Sequence, residues 1–427
     1  MTRIKKLLYA SCNMGGLMLS QAIITWLMYY YAPPAGNPHG LVPLVPIYAI
    51  GLAVLIGRLV DAFADPFIGW WSDNVTTKWG RRLPFIAAGN LPMVICFIFL
   101  WHPPVNFVSA LNTVHVIFFL SAFFFFFTVV LCPYLALIPE IVRTSAQRVN
   151  LSSWVAFMSF IGVAIGIAGS SFLIGITGFK TTAWILGLMA AIAMLGPLFV
   201  IREQKTDSQS AKLSFFEAIS CTLQNRPFRY YITAQLFITL GMSMAQTAVP
   251  YIFTVLLGRS EKEIGLFLGV MMLTAIANLV TVNILSNIKG KKFTFILTML
   301  CFIVILPLIY LLGTNTIPLS RFAQGMLFMF LLGFPLAGFI VLPFSLVADI
   351  TDEDEKYTGK RREAMYYGMQ GLITKTAVGI ATVILAFLLR TFGYAPGAYL
   401  GIQLIGPISA VFVIIGLFAF MKYPIDT

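Results

Sequence analysis

The stretch GRLVDAFADPFIGWWSDNVTTKWGRRLPF, residues 57–85, sets Arg58, Asp61 and Asp65 inside an apolar run and then closes on a short basic turn. A charged side chain in the hydrocarbon of a bilayer costs several kcal/mol, so such residues face a polar interior or one another. At 100° per residue, offsets of three and seven from Arg58 bring all three charges within an arc of about 60° on one face of a helix. One arginine cannot neutralise two carboxylates. The trio keeps a surplus negative charge that a cation, a proton or a distant lysine must answer. A polar cavity beside this helix, used for cation-coupled transport, is the expectation.

The bulk properties agree with a membrane setting. Of 427 residues, 59% are hydrophobic and 10% charged, and the mean hydropathy is +0.90, far more apolar than a water-soluble globule with a single core. The net charge of +12 does not point to nucleic acid, because the basic residues fall in short segments between apolar runs. Cys12, Cys96, Cys132, Cys221 and Cys301 show no metal-ligand spacing, and no disulfide is expected. His39, His102 and His115 are far apart, and no serine or cysteine sits in a nucleophile motif, so neither an enzyme nor a cofactor is expected. The start, MTRIKK followed by an apolar run to Tyr31, is too long for a signal peptide and reads as an uncleaved first helix.

Counting about 20 apolar residues per crossing, the sequence predicts an all-α polytopic membrane protein. Twelve transmembrane helices are expected, near 6–31, 44–70, 84–101, 114–138, 151–176, 181–202, 229–257, 263–288, 293–313, 320–347, 364–390 and 398–421. Loops after even-numbered spans carry Lys78, Arg81, Arg82, Arg143, Arg148, Lys205, Lys212, Lys289, Lys291, Lys292 and Lys360 to Arg362; the opposite side carries only Lys180, Arg259, Lys262, Arg321 and Arg390. Both termini are therefore expected in the cytoplasm, with the chain in the plasma (inner) membrane. The longest interior polar stretch, 203–228, divides the chain into six-helix halves, 1–202 and 229–427, and LSFFEAISCTL at 213–223 has the spacing of an amphipathic surface segment. A faint repeat supports the division: WSDNVTTKWGRRLPF after span two returns as LSNIKGKKFTF after span eight. The chain is expected to act as a monomer.

Twelve helices in two halves with a Gly80-Arg81-Arg82 turn resemble the major facilitator superfamily. More narrowly, the run at 57–85, PYLALIPE at 133–140, VADITDEDE at 347–355 and a later helix holding Gln370 and Lys375 resemble the glycoside–pentoside–hexuronide cation symporters. The resemblance implies that Asp61 and Asp65 bind the coupling cation and that Thr128 completes the site. Ala64 and Leu131 stand where that family carries an asparagine and a further acid. Two carboxylates and a hydroxyl suit Na⁺ or Li⁺; a proton is the alternative, since two close carboxylates do not both ionise cheaply. Lys375, near the middle of span eleven, needs an anion. Cation binding would release it for substrate, with Arg58 and Gln370 as further coupling or substrate groups; a static salt bridge is the plainer alternative. Asp73, Arg81, Arg82 and Asp349, with the charges at 352–355 and 360–362, form either a cytoplasmic gate or a solvated loop.

The polar groups that hold a sugar in that family are replaced here by Gly16, Leu17, Leu131, Leu135 and Ala156. Either a glycoside is bound by other polar residues, such as Asn13, Gln21, Asn150, Gln246 or Asn278, or the cavity admits an amphiphile. The sodium-dependent lysophospholipid symporters resemble this chain in the DAFxDP run and the span-eleven lysine. Asn and Gln in membrane helices also serve simply as packing contacts. An uncoupled facilitator or scramblase, with the charges only holding helices together, is the remaining reading. Phe123 to Phe127 read as packing and lipid contact, Trp70, Trp71, Trp79 and Trp101 as interfacial anchors, and Gly69, Gly80, Gly162, Gly166 and Gly169 as sites of close helix approach.

Overall fold

Without water in the hydrocarbon, every backbone N–H and C=O must be paired within its own segment, and an apolar chain of this kind answers with helices. The computed structural model describes residues 2–75, 77–142, 145–201, 222–358 and 363–425. Its long helices are α1 (Arg3–Tyr31), α2 (Ile47–Asn74), α3 (Leu83–Leu100), α4 (Ala110–Ala136), α5 (Ser145–Ala164), α6 (Ser170–Met194), α7 (Arg226–Tyr251), α8 (Glu261–Lys289), α9 (Lys291–Ile305), α10 (Arg321–Thr358), α11 (Glu363–Phe392) and α12 (Ile405–Met421). Several starts are capped in the usual way: Ser109 Oγ accepts from the Leu111 N–H at 3.2 Å, and Asn225 Oδ1 from the Phe228 N–H at 2.9 Å.

Among the described residues, eleven helical stretches are long and apolar enough to cross a bilayer. One of them, Asn150–Val200, runs for 51 residues, about 75 Å at 1.5 Å per residue, where a crossing needs about 30 Å. It joins α5 and α6 through a wide turn, Ile165–Gly169. The path breaks at Gly178, whose φ of 78° and ψ of 172° suit glycine alone, so two helices meet there, between the stretches 151–176 and 181–202 expected as separate crossings. The amphipathic segment expected at 213–223 lies outside the described residues up to position 221.

The chain forms two compact units. The first comprises Met1–Pro33, Asn37–Ser210 and Glu261–Gly265. There α1 packs against α5 so closely that a Cβ on Gly162 would fall on the Met14 carbonyl oxygen. Small residues permit this approach, and polar side chains then lock it: Asn13 Nδ2 donates to Ser159 Oγ at 2.5 Å, and Lys6 Nζ to Asn150 Oδ1 at 2.5 Å. Two of the asparagines read as substrate candidates are therefore committed to helix contacts. Gly166 also meets α1, at the Met18 carbonyl, but Gly69 finds only Cys132 Sγ at 3.9 Å and Gly169 only Ile165 of its own helix, so neither is a close-approach site. Trp101 is likewise no interfacial anchor. At 3% exposure it packs against Tyr30, Phe97 and Phe179. Trp70 and Trp79 are exposed, as expected of anchors.

The second unit comprises Pro34–Gly36, Ala211–Ser260 and Leu266–Thr427. Here α7 packs against α12 at Gly241, opposite the Ser409 carbonyl, and against α11 through Phe228 and Tyr366, with ring centroids 4.9 Å apart. Tyr231 donates to the Pro343 carbonyl of α10 at 3.2 Å. Asn278 Nδ2 donates to the Thr274 carbonyl of its own helix at 2.8 Å, a local bond rather than a ligand group.

Gly162→Val, which presses a branched side chain onto the Met14 carbonyl, is expected to lower the midpoint of thermal unfolding in detergent, by about 1–3 kcal/mol of stability. Gly69→Ala, facing open space, should leave the midpoint unchanged.

Candidate functional site

The site is built on α2 and α4 of the first unit. Arg58, Asp61 and Asp65 share one face of α2, and Thr128 reaches them from α4. Asp61 is wholly buried, Thr128 nearly so, and Asp65 is half-buried. The Thr128 hydroxyl oxygen lies 2.9 Å from Asp61 Oδ1 and 3.1 Å from Asp65 Oδ1, so the two carboxylates converge on one oxygen. A hydroxyl carries a single hydrogen and donates to one carboxylate at a time. The two carboxylates share that hydrogen, and a proton or a cation among the oxygens would strengthen both contacts. Behind this trio Ala64, Ile68, Phe85 and Val129 form an apolar wall with Phe125, Phe126 and Cys132, and low polarity on that side strengthens every charge interaction in front of it.

Arg58 holds the other oxygen of Asp61, with Nη1 at 3.3 Å from Oδ2. Its guanidinium carbon lies 4.1 Å from the centroid of the Phe124 ring. Sequence reasoning read the 123–127 aromatic run as packing and lipid contact; Phe123 and Phe124 are buried in packing, and Phe124 is in addition the arginine's second support. Such a contact is worth about 2 kcal/mol when desolvated. The signal lay in the spacing of Phe124 from Thr128, four residues apart on one face of α4. Pro66 follows Asp65 within α2 and has no N–H to give to the Ala62 carbonyl, which frees one backbone oxygen there.

The other expected site residues fall elsewhere. Gln370 and Lys375 are on α11 of the second unit. Gln370 is 9% exposed, with its Oε1 unbonded among the described residues, and Lys375 is half-buried. Asp73 pairs with Arg82 at 3.0 Å, inside the first unit. Asp349 pairs with Lys291 at 2.6 Å, inside the second. Arg81 lies on the same turn as Arg82, half-buried. Lys291 went unremarked as a partner, although it follows Gly290 as Arg81 follows Gly80, and both glycines adopt positive φ, 88° and 108°. The acidic run 352–355 is not a loop: it forms the last turns of α10, with Asp354 buried and Lys356 bonded to Glu353 at 3.2 Å. Lys360 to Arg362 lie outside the described residues. Nearby, burial first and then Asp349 and Glu353 hold the Tyr423 phenol above its usual range.

Gly16 and Leu131, two of the positions that the family resemblance aligns with sugar-binding groups, lie against each other. A Cβ on Gly16 would sit 3.0 Å from Leu131 Cδ1, and Leu131 is buried. An apolar contact between α1 and α4 occupies that place.

The chain belongs to the MFS/sugar transport protein family, whose model matches residues 8–427. It is 23% identical to the isoprimeverose transporter of Lactiplantibacillus pentosus over 96% of this chain and 84% of that one. It is also 23% identical to the sodium-dependent lysophosphatidylcholine symporter 1-B of Danio rerio, over 90% of this chain and 81% of the relative. The fold matches the crystal structure of the nucleoside transporter NupG with a TM-score of 0.70 at 12% identity, covering 99% of this chain and 100% of that one. The protein is a multi-pass membrane transporter and not an enzyme.

Thr128→Val keeps the shape but removes the hydroxyl between the two acids. It is expected to destabilise the protein by about 1–3 kcal/mol in thermal unfolding, whereas Thr128→Ser should stay near wild type.

Proposed function

We propose that this member of the MFS/sugar transport protein family is a cation-coupled symporter working by alternating access, with Asp61, Asp65 and Thr128 as the cation site. The observation that carries this reading is the single hydroxyl at 2.9 and 3.1 Å from two carboxylates, an arrangement that calls for a cation or a proton. Three hard oxygens at this spacing suit Na⁺ or Li⁺, with water or a backbone carbonyl completing the shell. Na⁺ is the favoured ion, since the same three-oxygen set would hold a proton only as a shared hydrogen bond. Arg58 offsets one of the two negative charges, and the arriving cation offsets the other.

Twelve spans in two six-helix halves, joined by the cytoplasmic linker 203–228 and with both termini in the cytoplasm of an inner-membrane protein, complete the proposal. Gly178 supports the division of the long helical path into two crossings. Lys375 is the residue through which ion binding reaches substrate, and the orphan Gln370 Oε1, a buried acceptor, is a further substrate group. Asp73, Arg81, Arg82 and Asp349 belong to the cytoplasmic gate, each half keeping its own ion pair.

The cargo is a small organic solute of the glycoside class, in line with the relative named as an isoprimeverose transporter. A second reading, an amphiphile such as a lysophospholipid, is favoured by the Gly16–Leu131 contact, which puts hydrocarbon where a sugar would need hydrogen-bond partners. The relative named as a lysophosphatidylcholine symporter points the same way.

Thermal stability of the purified protein tests the ion site, because a ligand that binds only the folded state stabilises it by about 2.7 kcal/mol at a hundredfold excess over Kd. A Na⁺-dependent rise that Asp61→Asn and Asp65→Asn both abolish is expected. A response to pH alone, lost in the same variants, would identify the proton instead; indifference to Na⁺, Li⁺ and pH would leave only the uncoupled facilitator. Lys375→Gln should retain the ion response yet abolish substrate accumulation in vesicles under a Na⁺ gradient.

A further inference from the structure

We propose that Phe124 is a positioning residue for the cation site, whose ring keeps the Arg58 guanidinium from closing on Asp61 and so weakens its competition with the ion. The inference rests on the cation-site reading above. Arg58 and Asp61 are one helical turn apart, within reach of an ion pair, and arginine frequently pairs with a carboxylate through two nitrogens. That fork is not formed. Only Nη1 reaches Asp61, at 3.3 Å, longer than a strong charge-assisted bond. Nε is buried with no hydrogen-bond partner among the described residues. The planar ion instead lies over the Phe124 face, 4.1 Å from its centroid, where the ring quadrupole attracts it.

The ring is held for this position. Phe124 is 1% exposed and packs edge-on against Phe123 with centroids 5.2 Å apart. On its other side stands Gly57, where a Cβ would come within 3.2 Å of the Phe124 ring. An aromatic at 124 and a glycine at 57, directly before the arginine, thus act as one device. The cation and Arg58 compete for the same carboxylate, and the aromatic face takes up part of the arginine's attraction, weakening the competitor. An aliphatic residue at 124 returns that attraction to Asp61.

The experiment measures the midpoint of ion-dependent thermal stabilisation, in Na⁺, Li⁺ or pH, rather than stability itself. Phe124→Leu is expected to raise the Na⁺ concentration at the midpoint about tenfold, Phe124→Tyr to keep it near wild type, and Phe119→Leu, on the same helix but stacked on Phe99, to leave it at the wild-type value. In an Arg58→Gln background, Phe124→Leu should produce no further shift. A wild-type midpoint in Phe124→Leu, or an equal shift in Phe119→Leu, overturns the inference and leaves the cation site standing. A wild-type protein without any ion or pH response overturns both.

Discussion

Two carboxylates in a helix that crosses the hydrocarbon are tolerated only if their charge is answered where they stand, and the first unit is arranged around that demand. Water cannot do it at this depth, and Asp61 is wholly buried. Arg58 takes one oxygen of Asp61; Thr128 places its hydroxyl against the other and against Asp65. The apolar wall behind them raises the cost of leaving any charge unanswered. It also raises the gain from an ion that answers it. The proposed cation would answer the charge that Arg58 alone does not offset.

The scaffold that holds these groups follows from packing without a hydrophobic driving force between helices. Close approach is bought by glycine at a few positions, such as Gly162 against Met14 and Gly57 against Phe124. Direction comes from hydrogen bonds to main-chain carbonyls, such as Tyr9 to Tyr134 at 2.7 Å and Tyr231 to Pro343. The consequence for the site is rigidity across α2 and α4: Gly57 sets their separation at the point where the guanidinium meets its ring. At the basic turns the same economy recurs. Gly80 and Gly290, each in a positive-φ bend, are followed by the cations that pair with Asp73 and Asp349.

The residues of the proposed cation site were legible in the sequence because their types are costly where they occur. Arg58, Asp61 and Asp65 contradict an apolar run, and helical spacing alone puts them on one face. Thr128 was reached through family resemblance, since a threonine in a membrane helix breaks no rule. Phe124 was not singled out, because five consecutive phenylalanines look alike unless their spacing from Thr128 is used. Trp101 and the acidic run at 352–355 misled for the same reason: a tryptophan near a span end and acids after a span fit an interface and a loop, whereas contacts with Tyr30 and Phe179, and the continuation of α10, place them otherwise.

By itself the sequence determined that this chain crosses a membrane many times, that it places a net negative charge inside one helix, and that its basic residues lie in the loops. These are consequences of transfer free energy, which each residue carries with it wherever the chain goes. Only the tertiary structure decided which oxygens converge, which arginine nitrogen has no partner among the described residues, which ring lies under it, and that Gly16 lies against Leu131. Those depend on distances between helices far apart in the chain, and distance, unlike polarity, is a property of the pair and not of the residue.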